Sequence, residues 1–179
     1  MRSTVASAAA VAVAICATAA GGSAQARENV CRPASMHYAP YPGGAPGLGR
    51  LPWVRADSQG LGLVALLWYW PDGWRARRVA GARIFTRGRA PDGRSTKILW
   101  AFLSPKAERA YRGGNLIVRG RRLDGPGTTW QQFVGIGYAG QKGAPSFASI
   151  VRLPTAGCWR LRLGAGGLHA SVVLSAVAG

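Results

Sequence analysis

Residues that bind metals or move protons are scarce in this chain of 179 residues, which has three Cys, two His and six Asp+Glu against 23 Lys+Arg. Three cysteines exclude both a disulfide-dense miniprotein and a four-Cys zinc site. His37 and His169 lie far apart in sequence, and the cysteines form no cluster with them, so no metal-ligand spacing is present and no cofactor is indicated. No Gly-x-Ser-x-Gly elbow occurs. Asp72, Asp92 and Asp124 each sit beside a glycine, where turn chemistry accounts for them. The expectation is a chain without enzymatic activity. The alternative is a hydrolase whose few polar groups, His37 or His169 among them, converge only in three dimensions.

What is abundant is arginine, glycine and proline. The formal net charge is +17, and only 3 of the cations are Lys. A hydrophobic content of 48% is too high for a disordered polycation, and the 26 Gly and 11 Pro are not periodic as in collagen.

Residues 1–26 read as a secretory signal. Arg2 opens it, Val5 to Ala20 carry no charge, and Ala24-Gln25-Ala26 matches a small-x-small cleavage site. The stretch is alanine-rich and weakly apolar for a spanning helix. Cleavage after Ala26 predicts a secreted or extracytoplasmic protein beginning at Arg27, without a transmembrane span. A body of that size buries roughly 70% of its unfolded surface. Export leaves Cys31 and Cys158 in an oxidising compartment and predicts one disulfide between them; the competing reading is two free thiols.

Residues 27–60 form a Pro/Gly-rich N-terminal arm, read as irregular over 32–52, and residues 61–179 form the folded domain. Short strand-like runs follow one another: Leu61–Trp70, Trp74–Val79, Ala82–Thr86, Thr96–Leu103, Leu116–Leu123, Thr128–Val134, Phe147–Leu153, Cys158–Leu163 and Leu168–Val177. Pro71-Asp72-Gly73 and Pro91-Asp92-Gly93 mark turns. One short helix interrupts the strands, with Ser104 as its cap, Pro105 in its first turn, and Ala107, Ala110 and Tyr111 on one face. About nine strands and one helix predict an all-β, antiparallel sandwich or barrel. Gly135–Gly140 spells G-x-G-x-x-G, but Gln141-Lys-Gly-Ala-Pro145 cannot continue a helix, so it is read as a loop.

Pro154-Thr-Ala-Gly-Cys-Trp159, followed by alternating residues, a Gly-rich turn and a Val-rich strand, resembles the closing hairpin of secreted bacterial immunoglobulin-like β-sandwich proteins. Gly120-Arg-Arg-Leu-Asp-Gly125 before a strand is similar to such domains as well. The resemblance implies an immunoglobulin-like sandwich and carries no ligand. The pattern departs from antibody-type domains in two ways: the only partner for Cys158 lies in the arm, and Ala156 stands where a Tyr would precede the late Cys.

The basic residues suggest where a partner would bind. Arg75 and Arg77 share a strand face with Arg78 beside them, and Arg119, Arg121 and Arg122 do the same on a second strand. Clustered guanidiniums can neutralise phosphate or carboxylate polymers. These six form the candidate site for an anionic ligand such as a wall polymer, an acidic glycan or a lipid head group; a solvated basic surface is the plainer alternative. Export argues against intracellular nucleic acid. Arg160 and Arg162 alternate with Trp159, Leu161 and Leu163, which assigns them to the wet face of a sheet. A third expectation is pairing with another exported protein through an edge strand. Trp100 and Trp159 are read as core.

Overall fold

The computed structural model describes residues 31–43, 51–68, 81–134, 137–138 and 145–179. They form two sheets and one short helix. In chain order the elements are β1 (Met36–His37), β2 (Trp53–Arg55), β3 (Leu63–Leu67), β4 (Arg83–Phe85), β5 (Ile98–Phe102), α1 (Pro105–Ala110), β6 (Leu116–Arg122), β7 (Thr128–Phe133), β8 (Gly137–Tyr138), β9 (Pro145–Ser149), β10 (Gly157–Ala165) and β11 (Leu168–Val177). The first sheet has the order β1-β2-β3-β5-β9-β8, and the second has β4-β11-β10-β6-β7. The predicted strand at Trp74–Val79 lies outside the described residues.

Alternation explains the layering. Leu63, Ala65 and Leu67 of β3 face Ile98, Trp100 and Phe102 of β5 in one set of buried side chains, which meets Leu116, Val118, Trp159, Leu161 and Leu174 from the second sheet. Trp100 and Trp159 are both fully buried, as their sequence context suggested. Trp100 Nε1 donates to Ser149 Oγ at 2.8 Å, so this indole brings no unpaired polar atom into the core. Replacing a tryptophan so placed by alanine typically costs about 3–5 kcal/mol.

The helix follows its sequence signals. Ser104 Oγ accepts from the Ala107 N–H at 3.2 Å, Pro105 occupies the first turn, and Ala107 is fully buried. The β10–β11 hairpin turns through Gly166 and Gly167, whose φ values of 47° and 95° suit a two-residue turn that side chains would strain.

Two expectations need correction. The pairing is not wholly antiparallel, because β4 runs parallel to β11 over Arg83–Phe85. β3 and β4 belong to different sheets, so no hairpin dictates their relative direction. The stretch 32–52 is not irregular throughout, because it holds β1, and the rest of the arm to residue 60 holds β2. β1 and β2 pair with each other and β2 with β3, while Val54 and Ala56 enter the main core, so the sandwich begins before residue 61. The prolines flank these strands instead of interrupting them, which leaves the ladder N–H groups intact.

Past β2 the chain leaves the first sheet for the edge of the second. Asp57 exchanges backbone hydrogen bonds with Ser171 (2.9 and 2.7 Å), and the Ala34 N–H donates to Val173 O at 2.8 Å. The β11 edge is thereby covered by Asp57, Ala34 and β4 in turn. The disulfide Cys31–Cys158 ties the start of this segment to β10, with the Cα atoms 5.9 Å apart.

Candidate anion-binding face

The outer face of the second sheet carries the arginines. On β6, Leu116, Val118 and Gly120 point inward and Arg119 and Arg121 outward; on β10, Trp159, Leu161 and Leu163 point inward and Arg160 and Arg162 outward. The two strands are neighbours, with Arg162 opposite Arg119 and Arg160 opposite Arg121. Four guanidinium side chains therefore rise from adjacent positions of one lattice, about 4.8 Å apart across the strands and roughly 7 Å along them. Like charges placed directly opposite each other cost stability.

The lattice has distinct borders. Toward the β7 edge, Arg119 is registered with Trp130, an indole left 57% exposed. Toward the other edge, Arg162 is registered with Ser171, and Ser171 with Asp57. Two adjoining clefts open here. One, of about 560 Å³, is lined by Asp57, Arg119, Arg162, His169 and Ser171 together with the β10–β11 turn. The other, of about 540 Å³, is lined by Arg32, Arg55, Asp57, Arg160 and Arg162. Among the described residues the Asp57 carboxylate makes no hydrogen bond or ion pair, so it faces the clefts as an acceptor.

The predicted cluster of arginines is thus divided. Arg119 and Arg121 lie on the face. Arg122 points to the opposite side of β6, where its Nε donates to Asp124 Oδ1 at 2.7 Å and its Nη1 reaches Thr155 Oγ1 at 3.5 Å. This is a correction by alternation: residue 122 is one step from 121, and a one-residue step reverses the face. Arg75, Arg77 and Arg78 lie outside the described residues. In place of Arg122 the fold supplies Arg160, Arg162, Arg32 and Arg55, none of them in the predicted set. Alternation had already put Arg160 and Arg162 on a wet face; the missing fact was that β6 lies beside β10. Trp130 was missed too, although it alternates with the half-buried Thr129 and Gln131.

Arg122 has a different task. Its partner Asp124 also accepts from the Cys158 N–H at 3.0 Å. The hydrogen bond from Arg122, with that backbone bond, holds the Asp124 carboxyl below its usual range. Gly157, at φ 137°, makes room for the pair, since a Cβ there would fall 2.5 Å from Arg122 Nε.

The histidines are separated. His37 on β1 stacks on Trp53 at a centroid distance of 4.2 Å, in the first sheet. His169 on β11 shares its cleft with Asp57 and Ser171. Among the described residues no hydrogen bond joins these three side chains, and one strand sets His169 and Ser171 about 7 Å apart. No group of three metal-ligating side chains converges among the described residues.

In comparisons with known proteins, the chain matches no family model, no curated protein and no solved structure.

Proposed function

We propose that this chain is an exported, non-enzymatic β-sandwich module that binds an anionic polymer of the cell envelope through Arg119, Arg121, Arg160 and Arg162. The observation that carries the reading is their mutual register on one outward face, which sets four guanidiniums side by side in the spacing that a repeating anionic polymer could follow.

Three further features support the reading. The uncharged stretch before Ala24-Gln25-Ala26 suits a signal cleaved after Ala26. The disulfide suits an oxidising compartment, and no helix among the described residues is long and apolar enough to cross a membrane. The immunoglobulin-like assignment is supported by strand order: without β1 and β2, the sheets read β3-β5-β9-β8 and β4-β11-β10-β6-β7, which follows an A-B-E-D sheet facing a sheet of G-F-C type with one strand added at each edge, β4 and β7. Trp100 on β5 and Trp159 on β10, one from each sheet, are both fully buried in the shared core.

The test is titration of a wall-type polyanion at increasing salt. Four arginine contacts predict a log–log slope of roughly −3, on the scale known for single-stranded polyanions. The Arg119→Gln/Arg121→Gln/Arg160→Gln/Arg162→Gln variant should lose most of that binding and most of the slope. Salt-indifferent binding, or unchanged binding by the variant, overturns the proposal. A second reading rests on β7, which ends its sheet, carries Trp130 and is followed by Val134, the large hydrophobics that are exposed among the described residues. If the quadruple variant retains an exported protein partner, edge pairing is the better account.

A further inference from the structure

One row of the second sheet runs across five registered positions: Trp130 on β7, Arg119 on β6, Arg162 on β10, Ser171 on β11, and Asp57 beyond it. At about 4.8 Å per step the row is roughly 19 Å long. Its chemistry is graded. A flat amphipathic ring stands at one end, two guanidiniums in the middle, and a hydroxyl with an acceptor-only carboxylate at the other end.

We infer that the ligand of this row is an acidic oligosaccharide lying across the strands, with a sugar ring on Trp130, a carboxylate between Arg119 and Arg162, and ring hydroxyls on Ser171 and Asp57. The inference rests on reading this face as an anion site and adds the ligand class. Each end of the row argues for sugar. An ionised carboxylate has only acceptor oxygens, so Asp57 repels the next charge of a uniformly anionic chain and rewards a hydroxyl donor. A guanidinium fork takes a carboxylate in bidentate geometry without needing phosphate. Trp130 offers a broad apolar surface with little conformational entropy to lose, which suits the face of a pyranose and does nothing for a bare phosphate. Single-stranded nucleic acid would call for successive stacking platforms, whereas the positions beside Trp130 on the outward side of β7 are Thr128 and Gln132.

The experiment uses the full exported chain and four probes: short oligogalacturonates, neutral maltooligosaccharides of the same length, inorganic polyphosphate of the same charge, and a single-stranded oligonucleotide. Binding is read by calorimetry and tryptophan fluorescence. The expected result is a preference for oligogalacturonate, with fluorescence change that disappears in Trp130→Ala. Trp130→Ala should weaken oligogalacturonate roughly tenfold or more, and Asp57→Asn about threefold, while both leave polyphosphate within about twofold. Trp130 and Asp57 are exposed, and an unchanged melting temperature in both variants shows that the fold is kept. If polyphosphate or the oligonucleotide binds more tightly than oligogalacturonate and Arg119→Gln/Arg162→Gln removes that binding, the sugar assignment falls and the anion face stands. If no anion binds in a salt-dependent way, both fall together.

Discussion

The two sheets share an inner chemistry and differ on their outer faces. Both send leucines and one tryptophan inward. Outside, the first sheet carries a second apolar cluster: Trp53 from β2, Val64 and Leu66 from β3 and Ala101 from β5 are all buried, with Tyr41 laid against them. Burial pushes the Tyr41 phenol up to about 12, so it stays neutral on that surface. The second sheet shows four arginines in the equivalent layer. One backbone geometry therefore gives a structural outer face and a chemical one. The first is kept out of water; the second stays in contact with it.

That difference can be broken at three points. The largest effect is expected where the arm crosses from one sheet to the other. The Cys31–Cys158 link closes a loop of 127 residues' separation. On chain-entropy grounds its removal in Cys31→Ser/Cys158→Ser should lower unfolding free energy by about 5 kcal/mol, read from denaturant curves. It should also weaken anion binding, because Arg32 next to Cys31 lines the cleft with Arg160. A midpoint that does not move would mean that the arm is held by its backbone bonds alone.

Next come the two outer faces themselves. Leu66→Ala removes a fully buried side chain from the outer cluster of the first sheet and should cost about 2–5 kcal/mol. Arg119→Gln/Arg162→Gln on the second sheet should change stability by about 0.5 kcal/mol or less, because both side chains stand exposed outside the core. Thermal unfolding of both variants decides the matter. Comparable losses would mean that the arginine lattice is also a structural layer.

Much of this architecture was legible beforehand, for a physical reason. The continuous apolar run Leu63–Leu67 and the alternating run Cys158–Leu163 report directly which strands have two dry faces and which have one. The helix was legible because Ser104, Pro105 and the small face of Ala107 are local signals. The disulfide followed from the cysteine count together with the export that residues 1–26 led one to expect. The candidate site was half legible. Arg119 and Arg121 are two apart on one strand, a period that sequence displays, but Arg160, Arg162, Arg32 and Arg55 join them only through pairing between distant segments. No local pattern encodes that β6 lies beside β10, or that the arm folds over β11. The short strands β1 and β2 were hidden because proline density outweighs a two- or three-residue ladder in any local reading.

The smallest expected effect concerns the inner end of the second sheet, where Arg122 and Asp124 act as a clamp and take no part in the outer lattice. Asp124 joins the end of β6 to the start of β10 through the Arg122 guanidinium and the Cys158 N–H. Its carboxyl lies below the ordinary value of 3.8 in the folded chain. A depressed carboxyl pKa stabilises the fold above the unfolded pKa, and that contribution is lost as pH falls through the folded one. Asp124→Asn should therefore unfold slightly more easily than the parent at neutral pH, and the two should converge once the pH drops below the depressed pKa. The pair is partly exposed, so added salt should shrink the difference. Paired denaturant curves from neutral to strongly acidic pH read this out. A gap that stays constant over the whole range would show that the clamp acts through hydrogen-bond geometry and not through charge. Arg122 would then be simply a spacer at the sheet's end, and the contrast between it and the outward arginines would rest on position alone.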